Sequence, residues 1–292
     1  MAAPLPSPTA TWHTATYPAI SPLRPELSQK GRTVVITGAG TGVGRQAALA
    51  FAQAGAARLV LLGRTASTLE GTASLIAAAH PAGGPAVEIH VVDITDEAGL
   101  ARVAAAVGAW DVLLLNAVYG PPNSTIASAS VDKWWQSFET NVKGPFLTIR
   151  AFLPTANRSG DRQPAVIGLT TGMLAVPLAL GPLMSGYTAA KMAQLRVIEY
   201  LAAEHPDLFV ASAHPGMYDT PLLASMQQPL DGVPLDDISL AGDFLVWMAS
   251  PEAAFLRGKL AWANWDVDEL KQQAESIQAG PRFTTGIVGW PQ

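Results

Sequence analysis

The sequence of 292 residues contains no cysteine. This absence excludes disulfide bonds, metal sites built from thiolates, and a cysteine nucleophile. The five histidines are scattered and lack the spacing of metal ligands, so no metal site is predicted. The chemistry of the chain must therefore come from other residue types.

Charged residues are also few. They make up 14% of the chain, with a net charge of −5 and no run of basic residues. Proteins that bind nucleic acid carry a basic patch or stripe. We therefore expect no nucleic-acid partner.

Long apolar runs are missing as well. The runs Leu59 to Leu62 and Val112 to Leu115 have the length of a strand, far below the ~20 residues that cross a bilayer. The first thirty residues contain six prolines but not the charged start and apolar core of a signal peptide. We expect residues 1–30 to form an extended, proline-rich arm. We also expect the protein to be cytoplasmic and to have no membrane partner.

Hydrophobic residues, in contrast, make up 49% of the chain, enough for a sheet that is buried on both faces. From Thr33 onward, short β-branched or Leu-rich runs alternate with Ala-rich stretches of helical length, which is the pattern of a parallel sheet. No repeat or linker divides residues 31–292, so we predict a single α/β domain with a doubly wound parallel sheet. Strands are predicted near 33–37, 58–62, 86–92, 111–116, 164–169, 208–213 and 259–262. Helices are predicted near 43–54, 66–79, 96–107, 131–156, 185–204 and 239–249.

Residues 217–240 have neither strand nor helix periodicity and are rich in Pro, Leu, Met and Asp. Long loops within compact α/β domains usually serve function. This one follows the sixth predicted strand and would lie at the carboxyl ends of the strands, where ligands bind. We therefore predict that it contacts the substrate.

A glycine-rich turn, TGAGTGVG at 37–44, connects the first predicted strand directly to a helix. Gly38 would allow the sharp turn, Gly42 the close approach of a pyrophosphate, and Gly44 the packing of the helix on the strand. Backbone N–H groups at the start of the helix would hold the phosphates. The segment predicts a dinucleotide site.

Tyr187 and Lys191 lie four residues apart in the sequence YTAAK. On a helix this spacing places both side chains on one face, so an ammonium can lie beneath a phenol. A nearby cation favours the phenolate and lowers the pKa of the phenol from ~10. The pair predicts a proton donor, with a solvated helix face as the alternative.

The glycine turn, a middle helix that carries Asn141, and the Tyr187 and Lys191 pair occur in this order in the short-chain dehydrogenase/reductase family. From residue 32 to about 270 the chain resembles that family, and most of all its members from filamentous fungi, whose C-terminal segment is similar to WANWDVDEL at 262–270. The resemblance implies a Rossmann fold, a nicotinamide cofactor, and a place in secondary metabolism.

The residue that follows the second predicted strand favours one form of the cofactor. The fingerprint for NAD expects an acidic residue ~20 positions after the glycine turn, where it accepts from the ribose 2′-hydroxyl. This chain has Arg64 instead. A cation suits a 2′-phosphate, with Arg45 and Thr41 as further contacts, so NADP(H) is predicted; a solvated loop arginine is the alternative.

The resemblance also implies contacts at the ends of later strands. Asp93 would contact the adenine amino group; a cap of the next helix is the alternative, and the two roles are compatible. Val118 stands where the family usually has glycine after Asn-Ala, and would crowd the cofactor ribose. Gly216 would meet the carboxamide, and Thr220 the carboxamide or a phosphate. The predicted cofactor-binding residues are Gly38, Thr41, Gly42, Val43, Gly44, Arg45, Arg64, Asp93, Ile94, Asn116, Ala117, Val118, Tyr187, Lys191, Pro215, Gly216, Met217, Tyr218 and Thr220.

The catalytic roles come from the same resemblance. Tyr187 would be the general acid in reduction and the base in oxidation. Lys191 would hold the ribose hydroxyls and lower the pKa of Tyr187. The backbone of Asn141 would hold a water that links Lys191 to solvent; the alternative is a satisfied polar residue at a kink beside Pro145.

The family serine is replaced by threonine here. Thr171 is the predicted substitute, since its hydroxyl can donate to a substrate carbonyl. The segment up to Tyr187 is about three residues longer than is common in the family, so Thr170 and Ser185 stay open as alternatives. His214 is predicted to be structural.

The sequence thus predicts an NADP(H)-dependent carbonyl reductase or alcohol dehydrogenase. An isomerase or cyclase without net redox chemistry, and a cofactor-sensing regulator, are the alternatives. The family further implies a homo-oligomer, either dimer or tetramer. An apolar pocket lining predicts a medium-sized apolar substrate. The residues of this lining are Met173, Leu174, Val176, Leu180, Leu183, Met184, Met217, Tyr218, Leu222, Leu223 and Met226.

Overall fold

A computed structural model describes residues 6–159, 162–226 and 235–287. Seven strands form one parallel sheet in the order β3-β2-β1-β4-β5-β6-β7. The strands are β1 (Thr33–Thr37), β2 (Arg58–Gly63), β3 (Ala86–Val91), β4 (Val112–Leu115), β5 (Ala165–Leu169), β6 (Phe209–His214) and β7 (Leu260–Trp262). The α-helices are α1 (Gly42–Gln53), α2 (Ala66–Ala79), α3 (Glu97–Val107), α4 (Val131–Phe138), α5 (Gly144–Phe152), α6 (Ser185–Glu204), α7 (Pro221–Ser225), α8 (Ser239–Met248), α9 (Val267–Gln272) and α10 (Ala274–Ala279).

The sheet is covered on both faces, as its apolar strands require. All four residues of β4 are buried. One face packs against a cluster that includes Phe51, Phe244 and Trp247. The other packs against a cluster that includes Trp110 and Phe152. The prediction of a single α/β domain with a doubly wound parallel sheet is confirmed.

The order of the strands places the ligand site. The chain runs outward from β1 through β2 to β3, then crosses back to β4 and continues outward in the opposite direction. In such sheets ligands bind beyond the carboxyl ends of the strands, where the order reverses. That point lies between β1 and β4, directly above the glycine turn.

The middle helix, predicted near 131–156, is interrupted. A π-helical turn over Glu139–Lys143 separates α4 from α5. Pro145 lacks an N–H group and cannot donate to the carbonyl of Asn141, four residues earlier. The change in helical pitch therefore lies at a predicted site residue, as is common for such turns.

The described part of the predicted proline-rich arm, residues 6–30, is packed onto the domain. Ile20 and Leu27 are fully buried, and Trp12 is 8% exposed, all within the main core. Trp12 also forms an antiparallel bridge with Trp265. Apolar side chains among the prolines provide the contact, because burying each stabilises the docked segment by roughly 1.5–3 kcal/mol.

The loop predicted near 217–240 contains the short helix α7, and its residues 227–234 lie outside the described ranges. No helix within the described ranges is long and apolar enough to cross a membrane. In the same part of the chain, no group of acidic or histidine side chains could hold a metal ion.

Candidate active site

A cavity of about 900 Å³ opens at the carboxyl ends of β1, β4, β5 and β6. It brings together most of the site residues predicted from the sequence. Those that line it are Gly38, Thr41, Gly42, Val43, Arg64, Asp93, Ile94, Asn116, Ala117, Val118, Thr171, Tyr187, Lys191, Pro215, Gly216, Met217, Tyr218 and Thr220. Gly44, Arg45 and Asn141 are not part of its wall.

The glycine turn has the geometry of a phosphate cradle. Gly38 and Gly42 have φ angles of 67° and 52°, which side-chain-bearing residues rarely adopt. A Cβ on Gly38 would lie 2.9 Å from the Cα of Ala117. A Cβ on Gly44 would collide with the Gly38 carbonyl, so Gly44 serves the packing of α1 rather than the cavity. The turn fits the pyrophosphate of a dinucleotide cofactor.

Asn116 fastens the glycine turn to β4. Its side-chain amide donates to the carbonyls of Thr37 and Gly38, at 2.8 and 3.1 Å. The Thr37 hydroxyl in turn accepts from the backbone N–H of Asn116 at 2.9 Å. These bonds hold the start of the turn against the end of β4.

Arg64 lies at the end of β2 with 70% of its side chain exposed. It is 4.0 Å from the Asp93 carboxylate, a distance at which an exposed pair contributes little to stability. Asp93 accepts from the backbone N–H of Thr95 at 2.9 Å. The cap of α3 is Asp96, so the alternative role of Asp93 as that cap is wrong.

Arg45 has a different partner from the predicted one. Its guanidinium donates to the Gly40 carbonyl and, at 3.2 Å, to the Thr72 hydroxyl. It therefore ties α1 to α2 outside the cavity. Thr65 and Thr68, which were not predicted as site residues, line the cavity beside Arg64. Both lie at the start of the helix that follows Arg64, and this position is a signal for phosphate contact.

Tyr187 and Lys191 project from α6 and are 7% and 2% exposed. The Lys191 ammonium donates to the Leu169 carbonyl and to the Gln194 side-chain oxygen, both at 2.8 Å. Burial lowers the pKa of Lys191 to about 7. Gln194 was missed, although its spacing of three residues from Lys191 on a helix is a signal for contact.

The pKa of Tyr187 is raised by burial to about 12, and a hydrogen bond with the Thr171 side chain partly opposes this rise. Lys191 does not lower the pKa of Tyr187 in this structure, in contrast to the prediction, because its ammonium is directed toward Leu169 and Gln194. Tyr187 is therefore protonated at neutral pH, the form in which it can donate.

Thr171 is the hydroxyl paired with Tyr187 among the three that the sequence left open. The Thr170 hydroxyl is buried without a partner among the described residues. The Ser185 hydroxyl accepts from the Trp134 indole at 3.2 Å. Geometry thus favours Thr171.

Asn141 is fully buried on the π-helical turn. Its side chain accepts from the Tyr119 N–H at 2.9 Å and donates to the Tyr119 carbonyl at 2.7 Å. It therefore holds the loop that follows β4. Its backbone carbonyl lacks the α-helical donor that Pro145 cannot provide.

The apolar part of the cavity includes many of the predicted residues: Met173, Met184, Met217, Tyr218, Leu222, Leu223 and Met226. Leu174 and Val176 pack against the core instead, and Leu183 is 43% exposed. The side chain of Leu180 lies outside the described residues. His214, predicted to be structural, also lines the cavity.

The N-terminal segment is connected to the loop beside the cavity. Asn264 donates to the His13 carbonyl at 2.9 Å and hydrogen-bonds the Asp236 carboxylate. Asp236 accepts from the Met217 N–H at 2.9 Å. Asp237 donates its N–H to the Thr14 carbonyl at 2.7 Å. The position of the loop at Met217 thus depends on residues at both ends of the chain.

The burial of Lys191 predicts how the stability of the protein depends on pH. Lys191 has an ordinary pKa of 10.5 and a folded pKa of about 7. Between these values the unfolded chain binds a proton that the folded protein has released, so stability rises with pH across this window; below it, the full cost of burying the ammonium is present. We expect Lys191→Met to reduce this rise, by at most about 1.4 kcal/mol per pH unit.

Urea unfolding of both proteins at about pH 7 and about pH 9 measures this difference. Lys133→Met, at an exposed lysine of α4, is the matched control. Equal slopes for Lys191→Met and the unchanged protein would contradict the prediction.

Comparison with known proteins identifies the family. Residues 32–231 match the sequence model of the short chain dehydrogenase family. The chain belongs to the short-chain dehydrogenase family. It is 34% identical over 284 residues to the short chain dehydrogenase/reductase AacuD of Aspergillus aculeatus, with 96% of each chain covered. It is 33% identical over 295 residues to the short chain dehydrogenase mpl6 of Monascus purpureus, which covers 97% of this chain and 98% of that one.

The fold agrees with solved short-chain dehydrogenases. A crystal structure from Shigella flexneri, complexed with NADP, superposes with a TM-score of 0.71 at 21% identity and covers 82% of this chain and 99% of that chain. The predicted family and the similarity to fungal members are confirmed. This short-chain dehydrogenase is therefore an oxidoreductase of a family that binds a nicotinamide cofactor.

Proposed function

We propose that this short-chain dehydrogenase interconverts a carbonyl and an alcohol on a medium-sized apolar substrate, with NADP(H) as the cofactor and a role in secondary metabolism. The hydrogen-bonded pair of Tyr187 and Thr171 carries the proposal. Both hydroxyls lie on the wall of the cavity that also contains the glycine turn. A substrate oxygen between them would accept from two donors at once.

The choice of NADP(H) is supported by the surroundings of the 2′-position. Arg64 is exposed at the end of β2, where an NAD-binding chain would have a carboxylate. Three threonines, Thr41, Thr65 and Thr68, line the cavity together with Arg64. A guanidinium with nearby hydroxyls suits a phosphate monoester.

The side chains provide proton transfer and positioning. When bound, the nicotinamide ring supplies or accepts the hydride. In reduction, Tyr187 donates its phenolic proton to the substrate oxygen, which Thr171 orients. Lys191 would hold the ribose hydroxyls from the base of the cavity, and the Asn141 carbonyl would hold a water on the path that returns a proton to Lys191.

An absorbance assay tests the proposed function. NADPH oxidation is followed with apolar ketones such as α-tetralone, and the alcohol is quantified. We expect one alcohol per NADPH consumed, and slower turnover with NADH. Tight NADPH binding without oxidation in the presence of any ketone would overturn the proposal, as would an isomerised product formed with the cofactor unchanged.

A further inference from the structure

His214 is a polar side chain on the wall of the cavity that the proposed chemistry does not use. It is the last residue of β6 and immediately precedes the Pro215-Gly216 turn. Its partly buried ring lies edge-on to Trp262, with ring centroids 4.6 Å apart and an interplanar angle of 74°. Such a contact fixes the plane of the imidazole.

Gly172 leaves the space that this ring occupies. A Cβ at Gly172 would lie 3.0 Å from the His214 Nε2 atom and 2.8 Å from the Trp262 ring. Gly172 directly follows Thr171, and consecutive Cα atoms are ~3.8 Å apart. The Nε2 edge of His214 therefore lies beside the residue that follows Thr171, and both His214 and Thr171 line the cavity.

The two ring nitrogens have different surroundings. Nδ1 is enclosed and has no hydrogen-bond partner among the described residues. Nε2 also makes no bond within that part of the chain, but it is not enclosed. Burial lowers the pKa of His214 to about 4, so the ring is neutral at neutral pH and carries one N–H.

An enclosed N–H without an acceptor costs more than an unpaired lone pair, as the rarity of orphaned buried N–H groups indicates. The tautomer with its proton on Nε2 is therefore favoured. This tautomer gives His214, a residue of the cavity wall, an unpaired hydrogen-bond donor at Nε2. A hydrocarbon ligand would leave that donor unpaired in a dry site, which is unfavourable.

We propose that His214 donates from Nε2 to a second oxygen of the substrate, so that the preferred substrates are ketones with a hydroxyl or another carbonyl a few bonds from the reacting one. The inference rests on the proposed function, since it names the substrate class of the same site. It predicts a requirement for a specific oxygen within an otherwise apolar pocket.

A matched pair of probes tests the proposal in the NADPH-bound enzyme. α-Tetralone has one oxygen, and hydroxytetralones add a second on either ring. In His214→Phe, which keeps an aromatic ring against Trp262, we expect kcat/KM for the preferred hydroxytetralone to fall about tenfold, and for α-tetralone to stay within about threefold. His214→Gln, which retains a donor, should recover part of the loss.

Gly172→Ala offers an independent variant, because its methyl group would displace the imidazole. We expect the same loss of discrimination between the two probes. Equal effects of His214→Phe on both probes, or none on either, would overturn the proposal and leave His214 as a packing residue.

Histidine-selective NMR of the isotope-labelled, NADPH-bound protein gives a readout that does not need turnover. The signal missing from the His214→Gln spectrum identifies His214. We expect hydroxytetralone, and not α-tetralone, to shift it. Absence of NADPH oxidation with every ketone would defeat the proposed function, whereas an unshifted His214 signal at saturating hydroxytetralone would defeat this inference.

Discussion

Replacing Tyr187 by phenylalanine is expected to lower kcat by about a thousandfold, while the affinity for NADPH stays within about threefold. The change removes the hydroxyl that would transfer its proton to the substrate oxygen and leaves the ring in its buried position on α6. A positioned general acid contributes about 10²- to 10⁴-fold to the rate. NADPH fluorescence titration and ketone-dependent absorbance measure the two quantities separately.

Tyr200→Phe is the matched control for this prediction. Tyr200 is on the same helix but is 58% exposed and outside the cavity. It should leave both quantities unchanged. Turnover in Tyr187→Phe comparable to that of the unchanged enzyme, with the cofactor bound, would exclude Tyr187 as the acid.

Replacing Arg64 by leucine is expected to weaken NADPH binding about 10- to 100-fold and to change NADH binding little. The basis is the loss of a charge-assisted hydrogen bond to the 2′-phosphate, a contact of about 1.5–3 kcal/mol that NADH cannot make. Arg64 is already 70% exposed and has a distant partner in Asp93, so its removal should leave the fold intact. Cofactor titrations in the absence of substrate measure both affinities.

Arg102→Leu controls for the loss of a surface cation, since 73% of the Arg102 side chain is exposed on α3, away from the cavity. It should alter neither cofactor affinity. Raised salt should also weaken the binding of NADPH more than that of NADH, because salt screens the exposed charge pair between Arg64 and the 2′-phosphate. A parallel loss for both cofactors in Arg64→Leu would show that Arg64 does not distinguish them.

The strands and the glycine turn were predictable because their signals are local. Buried parallel strands are continuous apolar runs, such as Val112–Leu115, and a positive φ angle at Gly38 restricts that position to few residue types. The position of the predicted residues around one cavity follows from the same regularity, since consecutive parallel strands end at one edge.

The orientation of individual side chains was not predictable in this way. Spacing placed Lys191 beneath Tyr187, yet the ammonium bonds to Leu169 and Gln194, because a buried cation takes the nearest available oxygen atoms. Arg45 and His214 are similar cases. Their partners Thr72 and Trp262 come from other elements, and no local pattern identifies such contacts.

The attachment of His13 to Asn264 and Asp266 joins residues 251 and 253 positions apart. During synthesis the segment that contains His13 leaves the ribosome long before residues 264–266, to which it binds. Until Trp262 and Trp265 have been made, Trp12 cannot dock, and an exposed apolar side chain of this kind is prone to aggregate. Because Asn264 also contacts Asp236 beside the cavity, the N-terminal segment takes up its position next to the cavity only after Asn264 has been made.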